Sequence, residues 1–176
     1  VHFSRFAPNA VLFDHVATTD ANLIEKYFNF PGAVLKTVSA LPFYAQPSIH
    51  NPLRVEREIH NTVAYAGTYY GERYEERSKD LEKLLNAALP HGLEIYDRQA
   101  DNPDSPYKFP SRYEKSVRGA IPYQEVVESY KTHLAHLNVN SVTNSPTMFS
   151  RRVIEIPASG GLVLSSEGRG ILESLG

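Results

Sequence analysis

The sequence predicts an α/β protein whose open parallel β-sheet is covered by helices on both faces. Three observations lead to this prediction. From residue 63 onward, short apolar runs typical of strands alternate with helical patterns, which favours a parallel sheet. The 176 residues suit one ordinary domain, or one domain with part of a neighbour. A hydrophobic content of 41% is sufficient to build a core.

The first fifty residues predict a strand, a short helix and a second strand. The apolar run within residues 9–19 indicates the first strand. Residues 18–20, Thr-Thr-Asp, are typical of a helix cap and predict a helix over 21–29. Loose alternation over 33–39 indicates the second strand. We therefore expect these residues to be the end of a preceding structural unit.

The remaining elements follow from periodicity and from turn residues. The clearest helix covers residues 72–89, because Leu81, Leu84, Leu85 and Ala88 recur at i, i+3, i+4 and i+7. Pro122 is placed at the start of another helix. The predicted strands are 62–66, 93–96, 115–119, 133–139 and 162–164, and a last helix is predicted over 168–175.

Residues 145–165 organise the prediction of function. They combine a polar loop after a strand, a helix, a Gly-Gly turn and a buried strand. In open α/β sheets, ligands bind where a strand's carboxyl end leads into a helix, and a helix N-terminus offers N–H groups to an anion. Arg151 and Arg152 would add forked donors suited to phosphate. An ordinary crossover with two surface arginines is an equally good interpretation of the spacing alone.

Glu155 stands out because it interrupts the apolar helical segment 153–156. A carboxylate among apolar neighbours requires a partner, and Arg151 at i−4 or a ligand hydroxyl would serve. Pro157 should bend or end the helix. The pair Gly160-Gly161 permits a tight turn into the next strand.

A second candidate loop, residues 67–73, follows the strand at 62–66. Gly67 and Thr68 would let the backbone approach a phosphate closely. The loop is neither a Walker loop nor a Gly-x-Gly-x-x-Gly fingerprint, so an ordinary turn is the alternative interpretation. Arg73 and Arg77 lie one turn apart and are placed to face one pocket, unless they simply solvate the helix.

Composition excludes several classes of function. A formal charge of −2 without a basic stripe argues against nucleic-acid binding. No apolar run is long enough for a transmembrane span. The absence of cysteine removes disulfides and thiolate metal sites, and fits a cytoplasmic protein. His133 and His136 are three apart and should point to opposite faces of a strand, so we expect no metal site. No Gly-x-Ser-x-Gly nucleophile motif occurs.

Four segments together resemble a known family. FSRRVIEIPASGGLVLSS resembles the C-terminal donor-binding motif of GT-B glycosyltransferases, especially CgeB-like and group 1 types, and LNVNSVTNSPTMFSRR is similar to the segment just upstream. TVAYAGTYYGERYEERSKDLEKLL resembles the first strand and helix of their Rossmann-like C-terminal domain, and FDHVATTDANLIEKYFNFPGAVLKTVSALPFYAQP resembles the end of their N-terminal domain. The resemblance implies that residues 1–52 are the end of an N-terminal domain with the interdomain crossover. Residues 53–176 would be a nucleotide-sugar-binding domain, incomplete at its C-terminus.

The resemblance also implies roles for individual residues. Glu155 matches the glutamate that binds the donor ribose. Thr147 stands where a second glutamate contacts the donor sugar, and Arg73 or Arg77 would replace the basic residues that bind the pyrophosphate. Ser159 occupies a position that is usually cysteine. The donor-binding residues predicted from spacing and resemblance together are Gly67, Thr68, Arg73, Arg77, Ser145, Thr147, Arg151, Glu155 and Gly160.

The function implied is transfer of a sugar from a nucleoside diphosphate sugar to an unknown acceptor, without a metal or another cofactor. The N-terminal domain of the same enzyme would be the missing partner. The acceptor site and any catalytic base would lie outside this chain, so we expect it to bind nucleotide weakly and to be inactive alone. The alternative is a non-catalytic Rossmann-like module with an interaction or structural role.

Overall fold

The computed structural model describes residues 3–53 and 58–176, and the chain divides into two compact units. The first unit contains residues 1–43, 142–149 and 167–176, and the second contains residues 44–141 and 150–166. The helices are α1 (Phe3–Phe6), α2 (Ile24–Phe28), α3 (Glu75–Ala88), α4 (Tyr123–Thr132), α5 (Arg152–Ala158) and α6 (Arg169–Leu175). The strands are β1 (His15–Thr18), β2 (Thr37–Ala40), β3 (His60–Ala66), β4 (Leu93–Tyr96), β5 (Val117–Arg118), β6 (His133–Asn138) and β7 (Val163–Ser165).

In the first unit, β1 and β2 form a parallel two-stranded sheet. The prediction of one strand over residues 9–19 is wrong in its first half, because Ala7–Leu12 is a 3-10 helix with proline in its first turn. The strand predicted over 33–39 is found as β2, which begins four residues later and ends one residue later. The predicted cap is confirmed, since the Asp20 side chain accepts a hydrogen bond from the backbone N–H of Asn22 at 3.1 Å.

In the second unit, five parallel strands form an open sheet in the order β5-β4-β3-β6-β7. The chain first builds outward from β3 through β4 to β5. It then returns to the other side of β3 and continues through β6 to β7. This is the order of a Rossmann-like sheet, in which the direction of building reverses between two central strands. The predicted fold class is therefore confirmed.

Helices cover both faces of this sheet, as predicted. On one face, Leu81, Leu85 and Ala88 of α3 pack with alternate residues of β3, β4 and β6. Fully burying a leucine side chain contributes roughly 1.5–3 kcal/mol, so this periodic stripe fixes α3 on the sheet. On the other face, α4 and α5 pack together through Tyr130 and Ile156. Successive residues of each strand therefore point to opposite faces of the sheet, one covered by α3 and the other by α4 and α5.

The ends of two predicted elements differ from the structure. The helix predicted over 72–89 begins as a 3-10 turn, Gly71–Tyr74, before α3. The strand predicted over 115–119 is reduced to β5, because Ser111–Ser116 forms another 3-10 helix. The longest helix is α3 with 14 residues. Within the described ranges, no helix combines the length and the apolarity that are needed to span a bilayer.

The prediction that His133 and His136 point to opposite faces is wrong. Their rings lie 5.3 Å apart, and a nitrogen of each ring lies within 3.0 Å of the Ser129 carbonyl oxygen. His133 is both the C-terminal cap of α4 and the first residue of β6. Next to it, the pairing register of β3 with β6 shifts between His60 and Val63, which is typical of a β-bulge. Burial lowers the pKa of His136 to about 3, so this ring is neutral at physiological pH.

Candidate functional site

The candidate site lies at the carboxyl ends of β3 and β6, the two central strands between which the sheet order reverses. Gly67 and Thr68 follow β3, and Val139 and Asn140 follow β6. Loops that leave such neighbouring strands diverge and open a crevice, which is where Rossmann-like sheets bind ligands. The two helices that contribute side chains here are α3 and α5, and both belong to the second unit.

Two arginines, Arg77 of α3 and Arg152 of α5, converge on Tyr65 in this crevice. Arg77 donates from Nη2 to the Tyr65 hydroxyl at 3.1 Å and from Nη1 to the Thr68 carbonyl at 3.4 Å. The guanidinium of Arg152 lies 5.8 Å from the centre of the Tyr65 ring. Among residues 3–53 and 58–176, no carboxylate forms an ion pair with either arginine. Within the described part of the chain, the arginine pair is therefore a local concentration of positive charge.

Gly67 packs closely against Tyr65, the residue that both arginines contact, and lies beside Arg152. A Cβ atom at this position would lie 2.8 Å from the Tyr65 hydroxyl oxygen and 3.3 Å from Nη2 of Arg152. Real Cβ atoms do not approach other atoms as closely as 2.8 Å. A side chain at residue 67 would therefore displace the Tyr65 hydroxyl, to which Arg77 donates.

Arg73 is directed to different partners from Arg77. It donates to the Tyr107 hydroxyl, and its guanidinium lies 5.7 Å from the ring centre of Tyr74. Arg77 instead stacks 5.0 Å from the ring centre of Tyr70. Of the two arginines that the sequence placed one turn apart, only Arg77 joins Arg152 at the crevice.

Glu155 forms a second group, the Glu155 cluster, with His50, Tyr123 and Arg151. Glu155 is 4% exposed, which confirms the burial that its apolar neighbours predict. Its Oε1 atom lies 3.7 Å from Nε of Arg151 and 3.9 Å from Nε2 of His50. Both distances exceed those of a hydrogen bond, and the described residues offer the carboxylate no closer donor. Among the described residues, the carboxylate therefore has ion-pair contacts, including one with the predicted partner Arg151, but no hydrogen-bond donor, so its oxygens can still accept hydrogen bonds.

The Glu155 cluster and the arginine pair share one neighbour, Tyr130 of α4. Burial raises the pKa of Tyr130 to about 12, with smaller opposing effects from the charges of Arg152 and Glu155. Arg152 and Glu155 are three residues apart, so they lie on the same side of α5. This helix therefore presents a cation and a carboxylate toward one region of the unit.

Both ends of α5 are fixed by specific contacts. At its start, the Ser150 amide donates to Oδ1 of buried Asn140 at 2.9 Å. At its end, Gly160 has a φ of +85°, and the Gly161 amide donates to the Ile156 carbonyl at 3.0 Å, which is the Schellman pattern. The predicted Gly-Gly turn is confirmed. A side chain on Gly161 would collide with the Tyr130 carbonyl oxygen.

The first amides of α5 are less available to an anion than the sequence suggests. The N–H group of Val153 donates to the Ser150 carbonyl at 3.0 Å, and that of Ile154 donates to the Arg151 carbonyl at 2.9 Å. These bonds tighten the first turn and use donors that an isolated helix end would leave free. The side chains of Arg77 and Arg152 are consequently the main donors at this edge of the sheet.

Ser145 and Thr147, two predicted donor-binding residues, lie in the first unit. The Ser145 hydroxyl donates to Asp20 at 2.7 Å and accepts from the Met148 amide at 3.0 Å. The Thr147 hydroxyl donates to the Thr19 carbonyl at 2.8 Å and accepts from a backbone amide at 2.9 Å. Their hydroxyl groups therefore have structural roles, and a contact with a ligand stays a prediction.

His50 and Tyr123 could not be selected as site residues from the sequence. His50 lies 105 positions before Glu155, in a proline-containing segment without a motif, and Tyr123 looks like an ordinary first residue of a helix. Which of the adjacent residues Arg151 and Arg152 faces the site depends on how α5 is rotated about its axis. The sequence does not show this rotation. Arg151 is 62% exposed along its side chain, whereas Arg152 is the arginine that reaches Tyr65.

Comparisons with known proteins identify a family. The model of a family described as glycosyl transferase-like matches residues 57–175, more than half of the chain. A chain from the crystal structure of the GtfA/B complex matches 95% of this chain with a TM-score of 0.49 and 12% sequence identity. This chain covers 33% of that one, and a likeness of this degree carries no argument about function. No curated protein sequence matches at a significant level. On the strength of the family match over residues 57–175, the chain belongs to the glycosyl transferase-like family.

Proposed function

We propose that this chain is the donor-binding part of a GT-B glycosyltransferase and binds a nucleoside diphosphate sugar at the carboxyl ends of β3 and β6. The reaction would be transfer of the sugar to an acceptor. The observation that carries the proposal is the arginine pair beside Gly67. Two guanidinium groups that pair with no carboxylate of residues 3–53 and 58–176 suit an anion, and the family is one of glycosyl transferase-like proteins.

The diphosphate is assigned to Arg77, Arg152 and the backbone at Gly67. Guanidinium groups bind phosphate oxygens with two parallel hydrogen bonds. In glycosyl transfer, the diphosphate leaves with increased negative charge, and fixed cations stabilise that charge. The proposal needs no metal ion for this role, because the two arginines supply the positive charge.

The donor ribose is assigned to Glu155. A carboxylate accepts hydrogen bonds from hydroxyl groups, and this one has unused capacity at a nearly buried position. Its place three residues after Arg152 on α5 supports a ligand that presents a diphosphate and a sugar close together. The acceptor, the CgeB-like subgroup, the missing N-terminal domain, the cytoplasmic location and the lack of a nucleic-acid partner stay predictions.

The test is an NMR titration of the full chain with UDP, GDP and ADP. At least one of the three should produce saturable shifts of backbone amides near residues 67–68 and 151–155. Arg152→Ala and Glu155→Gln should each weaken binding about tenfold or more, since a hydrogen bond to a charged group contributes roughly 1.5–3 kcal/mol. Arg5→Ala removes the same charge from an exposed position in the first unit and should not change affinity.

The proposal fails if none of the three nucleotides gives saturable shifts. It also fails if binding occurs but is insensitive to both site variants. Turnover of a nucleotide sugar by this chain alone would overturn the narrower expectation that it is inactive without the rest of the enzyme.

The alternative is a non-catalytic module of the same fold. The observation that favours it is Thr147, where the resemblance calls for a sugar-binding glutamate and where the hydroxyl is instead used within the first unit. Under this alternative the arginine pair would bind an acidic group of a partner protein. Absence of nucleotide binding, with the fold intact, would support it.

A further inference from the structure

Tyr65 is the residue that both arginines of the crevice contact, and its side chain is fully buried. It is the last but one residue of β3 and belongs to the core between the sheet and α3. The ring of Phe109 lies edge-on to it, with 6.2 Å between the ring centres. Because protein interiors are close-packed, such a ring has little freedom to move. The hydroxyl of Tyr65 is therefore a fixed point at the carboxyl end of the sheet.

Arg77 is held by groups that carry no charge. Its Nη2 atom donates to the Tyr65 hydroxyl at 3.1 Å, its Nη1 atom donates to the Thr68 carbonyl at 3.4 Å, and its guanidinium lies 5.0 Å from the ring centre of Tyr70. A guanidinium has donors only, so the Tyr65 oxygen is the acceptor. A carboxylate at the same place would also orient Arg77, but it would neutralise the charge. The phenol orients the guanidinium and leaves its charge available to an anion.

The loop after β3 packs directly on the end of the Tyr65 side chain. A Cβ atom at Gly67 would lie 2.8 Å from the hydroxyl oxygen and 3.0 Å from Cζ of Tyr65, so a residue with a side chain could not approach as closely. The next residue, Thr68, supplies the carbonyl oxygen to which Arg77 donates. Tyr65 and this loop thus provide both hydrogen-bond acceptors that Arg77 has among the described residues.

A second arginine beside a buried tyrosine, Arg112, has its charge compensated. Its guanidinium lies 4.8 Å from the ring centre of Tyr113, but it also forms an ion pair with Glu82. Tyr113 is as fully buried as Tyr65, and its hydroxyl donates to Oδ1 of Asn86 at 2.7 Å. Tyr65 therefore holds an arginine that pairs with no described carboxylate, whereas the arginine beside Tyr113 has such a partner.

We propose that Tyr65 is a positioning residue for the diphosphate: its buried hydroxyl holds Arg77 in the orientation that binds the anion, without neutralising the guanidinium. Tyr65 does not touch the ligand, and it acts through Arg77 alone. The inference rests on the proposed function and adds to it a residue outside the predicted donor-binding set. Two parallel hydrogen bonds to phosphate depend on the orientation of the guanidinium. An arginine that is oriented beforehand loses less rotamer freedom on binding, which favours affinity.

The test is an NMR titration of the full chain and its variants with UDP, GDP and ADP. Tyr65→Phe keeps the buried ring and deletes the hydroxyl, and it should weaken the best-binding nucleotide about three- to tenfold, the effect of losing one hydrogen bond. Tyr113→Phe is the matched control, since it deletes an equally buried hydroxyl of the same unit, and it should leave the affinity unchanged. In the free protein, the Nε–H signal of Arg77 should shift in Tyr65→Phe and stay in place in Tyr113→Phe.

A double-mutant cycle separates positioning from a purely structural role. Because Tyr65 acts through Arg77, Tyr65→Phe should cause no further loss of affinity when it is combined with Arg77→Ala. An equal loss in both backgrounds would mean that the hydroxyl acts through the core, and it would overturn the inference, as would an Arg77 signal that Tyr65→Phe does not shift.

The outcomes also separate this inference from the proposed function on which it rests. If nucleotides bind in an Arg152-dependent manner but Tyr65→Phe binds them as tightly as the wild type, the inference is wrong and the proposed function stands. If no nucleotide binds, both are wrong.

Discussion

Acid should destabilise the second unit through His136, and His136→Gln should remove this effect. Burial depresses the pKa of His136 from 6.5 to about 3, while the unfolded chain keeps an ordinary value. Below pH 6.5 the unfolded state therefore binds the additional proton, and stability falls as the pH falls toward 3. Above pH 7 the contribution of the neutral ring is complete.

The magnitude follows from the size of the shift. Each pH unit below the unfolded-state pKa removes about 1.36 kcal/mol, so His136 alone should lower the free energy of unfolding by about 2 kcal/mol between pH 7 and pH 5. Glu94, whose carboxylate lies 3.3 Å from His133, has a pKa below its usual value of 4.5. Its titration therefore falls outside this pH range. A domain is typically stable by about 5–15 kcal/mol, so the loss is measurable.

The assay is urea unfolding at pH 7 and pH 5, followed by circular dichroism, with the wild type, His136→Gln and His91→Gln. Glutamine can donate to the Ser129 carbonyl as His136 does, but it does not titrate. His91 is exposed, so its replacement should leave the pH dependence unchanged. An equal loss of stability in the wild type and His136→Gln would refute the reasoning. So would an NMR titration in which the His136 ring protonates near pH 6.

Two glycines give further predictions. Gly161→Ala places a methyl group against the Tyr130 carbonyl oxygen and should destabilise the chain by about 1–3 kcal/mol. Gly119→Ala, where no atom lies within 4 Å of the added methyl, should change the midpoint of thermal unfolding little, and equal effects would contradict the packing argument. Gly67→Ala places a methyl group 2.8 Å from the Tyr65 hydroxyl oxygen and 3.3 Å from Nη2 of Arg152, and it should weaken nucleoside diphosphate binding about tenfold, a factor of about 1.4 kcal/mol. Unchanged affinity in a titration of this variant would mean that the backbone at Gly67 is remote from the ligand, and would contradict the prediction.

The sheet and its covering helices were predictable because their signals are local. The apolar stripe of α3 repeats every three to four residues, and the buried strands are short apolar runs bounded by turn residues. The burial of Glu155 was predictable for the same reason, since this carboxylate stands inside the short apolar helical segment 153–156; its role in binding stays a prediction. The Gly-Gly turn that ends α5 also has a local cause, the positive φ of Gly160.

The remaining features depend on contacts between distant residues. His50 meets Glu155 across 105 positions, and nothing in its own neighbourhood indicates this contact. His133 and His136 lie together where β6 follows α4 directly and its pairing with β3 is irregular, and the alternation rule applied to their own strand gave the wrong faces. The first half of the strand predicted over 9–19 was wrong, because apolar composition alone does not distinguish a short 3-10 turn from a strand.

Specific contacts hold both ends of α5, so this helix is ordered before any ligand binds. A helix of seven residues is far too short to persist alone in water, yet Asn140 holds its start and the turn at Gly161 holds its end. Its conformational entropy is therefore already lost in the free protein. A ligand that binds through Arg152 and Glu155 meets a pre-organised backbone and has only side-chain rotamers to restrict, which favours affinity over adaptability.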